Sequence, residues 1–375
     1  STTVSSIQVE GTVTLNLECN DQTFFESVLT PKMFHSLHQL DTLSINNCKV
    51  LEVPVDAFDG LRDLKRLNLH TRNKNWSSNK FMELVPGSFD GLKELQSLNL
   101  SDNNIQSIPE DAFCSLVNLQ SMNLSRNNLR SLETLGLIAR RTSSDPDLSN
   151  SRIECSGGAD IKTLDLSYNH FRALQQYSGL TKLRRLQNLY LQDNELSDIA
   201  PDSLNVLSTL RVLNLSSNHL EVLPETLFSN SKEIREIYLQ NNGLYQVPKR
   251  LFNRLEQLVV LNLSNNKISQ IDDEPFVGLI RLVVLDLSRN ALTHIKSKFF
   301  KDLLVLQILD LRNNSIGYIE DNAFLPLYNL HTLNLAENRL HHISSNLFNG
   351  LFVLSKLVLS NNLIVSVNVQ AFKNC

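Results

Sequence analysis

Residues Leu258 to Ile268 read LVVLNLSNNKI, and their pattern L-x-x-L-x-L-x-x-N-x-L recurs along the chain. Eight copies of this pattern follow one another at a constant period of 24 residues. They begin at Leu186, Leu210, Ile234, Leu258, Leu282, Leu306, Leu330 and Leu354. A fixed period of this length predicts a solenoid, because one repeat cannot bury its apolar side alone and must stack on its neighbours.

The residues of one coil indicate how it folds. Leu282, Leu285 and Leu287 are expected to enter the core through a short strand that runs parallel to its neighbours, and Asn290 occupies the following turn. The amide of this asparagine is predicted to bond backbone groups of its own coil and of the next coil. On the return path, a column of stacked rings is predicted from Phe252, Phe276, Phe300, Phe324 and Phe348.

This pattern resembles the leucine-rich repeat template. The resemblance implies an α/β solenoid, a horseshoe with a parallel β-sheet on its concave face and a mostly irregular or short-helical convex side. The template can be followed back to repeats that start at Ile161, Leu119, Leu95, Leu64 and Leu40, which gives about 13 coils. Two of the spacings, 31 and 42 residues, are much longer than the period and predict insertions.

These spacings lead to a domain prediction. We expect an N-terminal cap and first strand in residues 1–39, with the strand around Leu15, and a repeat array in 40–375. Insertions are expected near 70–84 and 130–160, and no C-terminal cap is recognised. The second insertion lacks periodicity and is rich in turn formers, so we predict an exposed irregular loop.

Composition excludes several classes of function. The net charge of −4 provides no broad basic field, so nucleic-acid binding is not expected. No run of about 18 apolar residues is present, so membrane contact is expected only through a missing C-terminal segment. The chain contains no recognised catalytic or zinc-binding motif. His341–His342 and Asp272–Glu274 are interpreted as solvated turns, and neither an enzyme nor a cofactor is predicted.

The cysteines suggest two disulfide bonds. Cys19 follows the first strand and Cys48 occupies the turn of the next coil, so adjacent strands would bring the two thiols close together. The alternative is that Cys48 is an ordinary turn thiol. Cys114 and Cys155 flank the long insertion, and either a bond between them fixes this insertion or both remain free thiols. Cys375 takes the position of a core leucine and is predicted to be buried.

Six asparagines fit the N-glycosylation acceptor N-x-S/T, namely Asn75, Asn99, Asn123, Asn214, Asn262 and Asn313. Four of them arise from the repeated text LNLS and are weak evidence individually, whereas Asn75 lies in an insertion outside that text. The four repeat asparagines are expected on the concave surface. Sugars at these positions would close part of that surface to partners.

Outward positions of two coils supply a predicted protein-binding site. Its residues are Tyr190, Gln192, Asp193, Arg235, Glu236 and Tyr238. Tyrosine and arginine are favoured interface anchors because they bury a large area and retain polar reach. The alternative is that these are single exposed aromatics without a partner. Further along the array, outward residues alternate in charge, which suits either a wet protein interface or simple solubility.

Several segments together resemble the N-terminal ectodomain of insect-type Toll receptors. They are the run Leu213–Leu220, the run Pro109–Phe113, the Cys19/Cys48 region and the insertion that ends in CSGGAD at 155–160. The last two features are similar to the long-ectodomain branch of that family. The resemblance implies a single-pass cell-surface receptor whose missing C-terminal part holds further repeats, a membrane helix and a signalling domain.

The resemblance also implies partners. Toll-type receptors bind dimeric cystine-knot cytokines of the Spätzle type and signal by receptor dimerisation in innate immunity or development. Carried onto this chain, the ligand region is the flank of the coils from Leu40 to Leu129 together with the Cys114–Cys155 insertion. An adhesion receptor that contacts a cell-surface protein or a second copy of itself in tissue patterning is the alternative. A secreted matrix protein is a third possibility.

Overall fold

The computed structural model describes residues 11, 13–19, 26–70, 82–133, 135–140, 152–155, 157–176 and 178–373 of the 375-residue chain. Asn75, Cys375 and the central parts of both predicted insertions lie outside these residues. The first strands are β1 Thr14–Glu18, β2 Thr42–Asn46, β3 Glu52–Val53, β4 Arg66–His70, β5 Glu83–Leu84, β6 Ser97–Asn99, β7 Ser121–Asn123, β8 Ile138–Arg140, β9 Arg152–Glu154, β10 Thr163–Asp165, β11 Ala173–Leu174 and β12 Asn188–Tyr190. The others are β13 Asp198–Ile199, β14 Val212–Asn214, β15 Glu236–Tyr238, β16 Val260–Asn262, β17 Val284–Asp286, β18 His294–Ile295, β19 Ile308–Asp310, β20 Tyr318–Ile319, β21 Thr332–Asn334, β22 His342–Ile343, β23 Lys356–Val358 and β24 Ser366–Val367.

The chain divides into two compact units. Unit 1 comprises Ser1–Arg172 and Tyr177–Tyr190, and unit 2 comprises Ala173–Gln176 and Leu191–Cys375. Within the described residues, a 3-10 turn at Gly179–Lys182 is the only helix, so the return paths consist of turns and two-residue strands. No helix of this part of the chain has the length and apolar content that a bilayer crossing requires.

Unit 1 contains a parallel sheet in the order β1, β2, β4, β6, β7, β10 and β12. The strands pair in register, so that leucines align with leucines: Leu43 lies opposite Leu67, and Leu67 opposite Leu98. These side chains are buried, whereas those between them face outward. The prediction of an irregular loop is wrong for the two ends of the second insertion, because β8 and β9 form an antiparallel pair there.

Unit 2 repeats the same construction without insertions. Its parallel strands follow the order β14, β15, β16, β17, β19, β21 and β23. On the return side, β11 pairs with β13, β18 with β20 and β22 with β24, all in parallel. Both units are therefore parallel-strand solenoids of the predicted fold class, and we call the outward surface of each parallel sheet its sheet face.

A ladder of buried and half-buried asparagines joins each coil to its neighbour. The Nδ2 group of Asn290 donates to the carbonyls of Leu287 and Ser288 in its own coil and to that of Leu263 in the preceding coil. Its Oδ1 accepts the amide of Ile268, also in the preceding coil. The prediction that this side chain bonds the next coil is wrong, because its bonds outside its own coil go to the preceding coil. The next coil is instead bonded by the backbone amide of Arg289, which donates to the carbonyl of Arg312. Asn218, Asn242, Asn266, Asn314, Asn338 and Asn362 repeat this arrangement.

Stacked phenylalanine rings fill the return side of each unit. In unit 1 the column contains Phe34, Phe58, Phe89 and Phe113, with centroids 5.7–6.3 Å apart. In unit 2 the predicted column is confirmed with one difference. Phe299 is buried beside Phe300 and meets Phe276 edge-on at 5.7 Å, because a ring occupies a position where most other coils of unit 2 place leucine or alanine.

Candidate functional site

The sheet face of unit 1 is mostly neutral and rich in hydrogen-bonding groups. Its outward side chains include Thr42, Ser44, Asn46, Asn68, Ser97, Asn99, Ser121 and Asn123. Arg66 also lies on this face, where Asp41 forms an ion pair with it. A hydrogen bond from Lys65, supported by Thr42, lowers the pKa of Asp41. An aspartate of the preceding coil therefore offsets part of the cationic charge of Lys65 and Arg66.

One flank of this face carries an exposed aromatic side chain. The guanidinium carbon of Arg126 lies 4.0 Å from the centroid of the Tyr168 ring, within the range of a cation–π contact. The Tyr168 side chain nevertheless stays 42% exposed. Both residues have positive φ angles, 55° and 54°. A left-handed backbone is uncommon for a bulky residue, and we therefore consider Tyr168 as a candidate functional residue.

Sequence reasoning missed Tyr168, although a signal was available. Each asparagine of the ladder is preceded by one residue with positive φ, and we call this set the turn rank. The turn rank contains Asp102, Arg126, Tyr168, Asp193, Ser217, Asn241, Asn265, Arg289, Asn313, Glu337 and Asn361. Tyr168 is the only aromatic among them. Alignment of the repeats on their asparagines therefore distinguishes this position.

The long insertion leaves unit 1 from a rigid base. Cys114 and Cys155 form a disulfide bond with their Cα atoms 5.0 Å apart, as predicted. The amide of Gly157 donates to the carbonyl of Cys114 at 3.0 Å. A Cβ atom on Gly157 would meet the carbonyl oxygen of Phe113 at 2.1 Å, so only glycine fits at this position. The end of the insertion is thus fastened to the coil that precedes the one carrying Arg126.

The second predicted disulfide closes the beginning of the array. Cys19 and Cys48 are bonded with their Cα atoms 4.9 Å apart, and the amide of Cys19 donates to the carbonyl of Asn46. Cys48 is buried at the turn position that asparagines occupy in later coils. The bond therefore fastens β1 to the first turn of the array. The alternative of an ordinary turn thiol is excluded.

The six predicted protein-binding residues are divided between the units. Tyr190 ends β12 in unit 1, whereas the others belong to unit 2. Gln192 and Asp193 follow in a turn, where Asp193 has a positive φ of 54°. Arg235 is exposed beside β15, and the hydroxyl of Tyr238 donates to Glu236 at 2.8 Å. The structure thus brings Tyr238 and Glu236 together, and the binding role of all six residues stays a prediction.

The repeat-derived sequons occupy a common structural position. Asn99, Asn123, Asn214 and Asn262 each end a strand, partly buried on the sheet face. Their Oδ1 atoms accept the amides of the serines two residues later, at 2.9–3.0 Å. Asn313 instead lies exposed in the turn rank. Glycosylation of these asparagines stays a prediction.

A serine, a histidine and an aspartate meet in unit 1 without forming a catalytic relay. The Nδ1 atom of His70 lies 2.9 Å from Ser101 Oγ and 3.4 Å from Asp102 Oδ2. A relay needs the two partners on different ring nitrogens, whereas here they share one. Among the described residues, no group of three or more histidine, cysteine or acidic side chains could hold a metal ion.

The two polar segments that were interpreted as solvated turns lie at the surface, exposed or half-buried, but His342 begins strand β22 rather than lying in a turn. His342 bonds Ser366 across the return side of unit 2. Asp273 is ion-paired with Lys296, and Glu274 lies near Lys298 and Lys301. Exposed pairs of this kind contribute little to stability. Both segments are solvated surface, as expected.

Comparisons with known proteins agree with this architecture. The leucine rich repeat family matches residues 76–129, 184–244, 232–292 and 280–340. Over 207 residues the chain is 50% identical to Toll-like receptor 7 of Drosophila melanogaster, an alignment that covers 54% of the chain and 13% of the receptor. The chain therefore spans only a small part of this relative.

Solved structures share the fold. The Toll–Spätzle complex of Drosophila contains a chain that superposes with a TM-score of 0.77 at 23% identity, covering 96% of this protein and 44% of that chain. A chain of the octameric complex of latrophilin 3, Unc5D and FLRT2 superposes with a TM-score of 0.62 at 22% identity, covering 77% and 80%. The protein therefore belongs to the leucine-rich repeat family, and its predicted resemblance to Toll receptors is confirmed.

Proposed function

We propose that this chain is the extracellular ligand-recognition part of a Toll-type transmembrane signalling receptor. In this proposal it binds a dimeric cystine-knot cytokine similar to Spätzle, and one ligand brings two receptors together in innate immunity or development. The 50% identity to a Drosophila Toll-like receptor and the two disulfide bonds support an extracellular receptor. The Toll chain of similar fold was solved in complex with Spätzle, which makes this class of ligand the first choice.

The observation that carries the proposal is the exposed Arg126–Tyr168 pair, which joins the two coils between which the disulfide-held insertion lies in the sequence. Arginine and tyrosine are enriched among residues that dominate protein interfaces. The pair is preorganised by its ring contact, so binding would cost little side-chain ordering. The adjoining sheet face offers amides and hydroxyls, which suit a polar rim. The ligand region is therefore the flank of unit 1 together with the base of the insertion.

Surface substitutions test this location. Tyr168→Ala and Arg126→Ala in the secreted ectodomain are each expected to weaken binding to a cystine-knot dimer at least tenfold, about 1.4 kcal/mol. Tyr318→Ala is the matched control, because Tyr318 is 63% exposed on the return side of unit 2. Equal affinities of all three variants and the wild type would place the ligand elsewhere.

An adhesion receptor is the second candidate. The same fold occurs in a complex of latrophilin 3, Unc5D and FLRT2, which is an assembly of several different proteins. The predicted residues around Tyr238 and Glu236 would then contact a surface protein of a neighbouring cell. Receptor dimerisation without any cytokine distinguishes this candidate from the first.

A further inference from the structure

Two predicted glycosylation sites flank one tyrosine on the sheet face of unit 2. In the parallel register, Asn214 lies directly opposite Tyr238, and Tyr238 lies directly opposite Asn262. Neighbouring strands are about 4.8 Å apart, so both asparagines lie within one strand spacing of the tyrosine. All three side chains are partly buried and face outward from the same surface. Sugars on either asparagine would emerge beside the tyrosine ring.

Hydrogen bonds fix the orientation of both asparagine amides. Oδ1 of Asn214 accepts the amide of Ser216 at 3.0 Å and its hydroxyl at 2.7 Å. Oδ1 of Asn262 accepts the same two bonds from Ser264, with the same lengths. An amide is planar, so a fixed oxygen turns the nitrogen to the opposite side, away from this turn. That nitrogen is the atom to which an N-linked sugar is attached.

The tyrosine ring is held in place as well. Its hydroxyl donates to Oε2 of Glu236 at 2.8 Å, along the same strand. A tethered aromatic ring presents a flat apolar surface at little entropic cost. Pyranose rings carry C–H groups on one face, and these pack well on aromatic surfaces. The Tyr238 ring is therefore a fixed platform between two sugar attachment points of defined orientation, Asn214 and Asn262.

We infer that Asn214 and Asn262 carry N-linked sugars and that the first sugar residues pack on the Tyr238 ring. The sugars close this part of the sheet face of unit 2 to protein ligands. Tyr238 then serves the glycans rather than a protein partner. The inference rests on the extracellular location that the proposed function requires.

The sequons of unit 1 supply an internal comparison. Asn99 and Asn123 lie directly opposite each other, and their other neighbours in register are Asn68 and Asp165. No tyrosine, phenylalanine or tryptophan side chain lies opposite these two sequons in the register of the described strands. Sugars at Asn99 or Asn123 therefore have no such ring opposite them to pack on, and they should be removed more readily.

The experiment measures glycan release from the folded, secreted ectodomain. Native peptide N-glycosidase treatment is followed over time, and mass spectrometry records the asparagine-to-aspartate conversion at each site. We expect sugars at Asn214 and Asn262 to be released more slowly than those at Asn99, Asn123 or Asn313. Tyr238→Ala should accelerate release at Asn214 and Asn262 about five-fold to tenfold without changing the other sites.

The conservative variant Tyr238→Phe keeps the ring and should retain slow release, which separates packing on the ring from the Glu236 hydrogen bond. If Tyr238→Ala is not secreted, slow release in the wild type and in Tyr238→Phe still supports the platform. Unmodified Asn214 or Asn262 in a protein that carries sugar elsewhere would overturn the inference and leave the receptor proposal intact. Absence of sugar at every sequon would overturn both. Equal release rates at all sites would exclude the platform alone.

Discussion

Replacing Asn266 with alanine is expected to lower the free energy of unfolding of unit 2 by about 3–5 kcal/mol. The Nδ2 group donates to the carbonyls of Leu239, Leu263 and Ser264 at 3.0–3.1 Å. Its Oδ1 accepts the amide of Leu244 at 3.1 Å. Alanine removes all four bonds and leaves buried backbone groups unpaired, at about 1 kcal/mol for each bond and more where water cannot enter.

The loss of stability in Asn266→Ala should be concentrated at one interface between coils. The carbonyl of Leu239 and the amide of Leu244 belong to the preceding coil, so the substitution weakens the interface between two coils as well as one turn. In a repeat array, stability depends on such nearest-neighbour interfaces. Hydrogen exchange should therefore increase first in residues 234–281.

Urea unfolding followed by circular dichroism, together with hydrogen exchange, measures both effects. Asn266→Asp is a stricter test. The carboxylate can still accept the amide of Leu244, but its second oxygen would repel the carbonyl oxygens of Leu239, Leu263 and Ser264. We expect it to be at least as destabilising as alanine. Asn253→Ala is the matched control, since Asn253 is exposed and lies outside the ladder; it should change stability by less than about 0.5 kcal/mol. A loss below about 1 kcal/mol for Asn266→Ala would refute the ladder as a stabilising element.

Three further predictions concern single positions. Gly157→Ala should destabilise unit 1 by more than about 3 kcal/mol, because its Cβ would overlap a carbonyl, whereas Gly243→Ala meets its nearest atom at 3.4 Å and should cost less than about 1 kcal/mol; thermal melts compare them. Ser231→Ala should leave stability unchanged or raise it by up to about 1 kcal/mol, since this hydroxyl is buried without a hydrogen bond; a loss above that size would reveal a hidden partner. Burial, with a contribution from the aspartate of the preceding coil, raises the pKa of Asp310, so the folded state favours the protonated acid and loses stability as pH rises through that pKa. Asp310→Asn should therefore stabilise the protein by about 0.5 kcal/mol at neutral pH and not in acid. Urea unfolding at several pH values measures this difference, and a gain that is constant with pH would contradict this cause.

The repeat period accounts for most of what could be predicted. It determines which residues enter the core and which lie in the turns. The parallel sheet, the positions of the ladder asparagines and the coils that contain the disulfide-bonded cysteines therefore follow from the spacing. It does not determine the direction of a side chain, and Asn290 bonds the preceding coil rather than the next. The period also does not predict how two adjacent rings pack, and Phe299 lies edge-on to both Phe276 and Phe300.

The candidate site was less accessible to sequence reasoning. Outward residues are not constrained by the core, so the pattern treats all of them alike. Alignment of the repeats marks Tyr168 as the aromatic member of the turn rank, but its contact with Arg126 is seen only in the structure. Tyr238, in contrast, was recognised as a candidate from sequence. Its flanking by Asn214 and Asn262 in the strand register changes the role that we assign to it.

The mass in solution of the secreted, glycosylated ectodomain tests the receptor proposal most directly. It should be measured by light scattering, alone and after addition of dimeric cystine-knot cytokines. Our account predicts a monomer that forms a complex of two receptors only when a ligand is present. A concentration-dependent dimer that forms without ligand and ignores every cytokine would contradict it and favour adhesion.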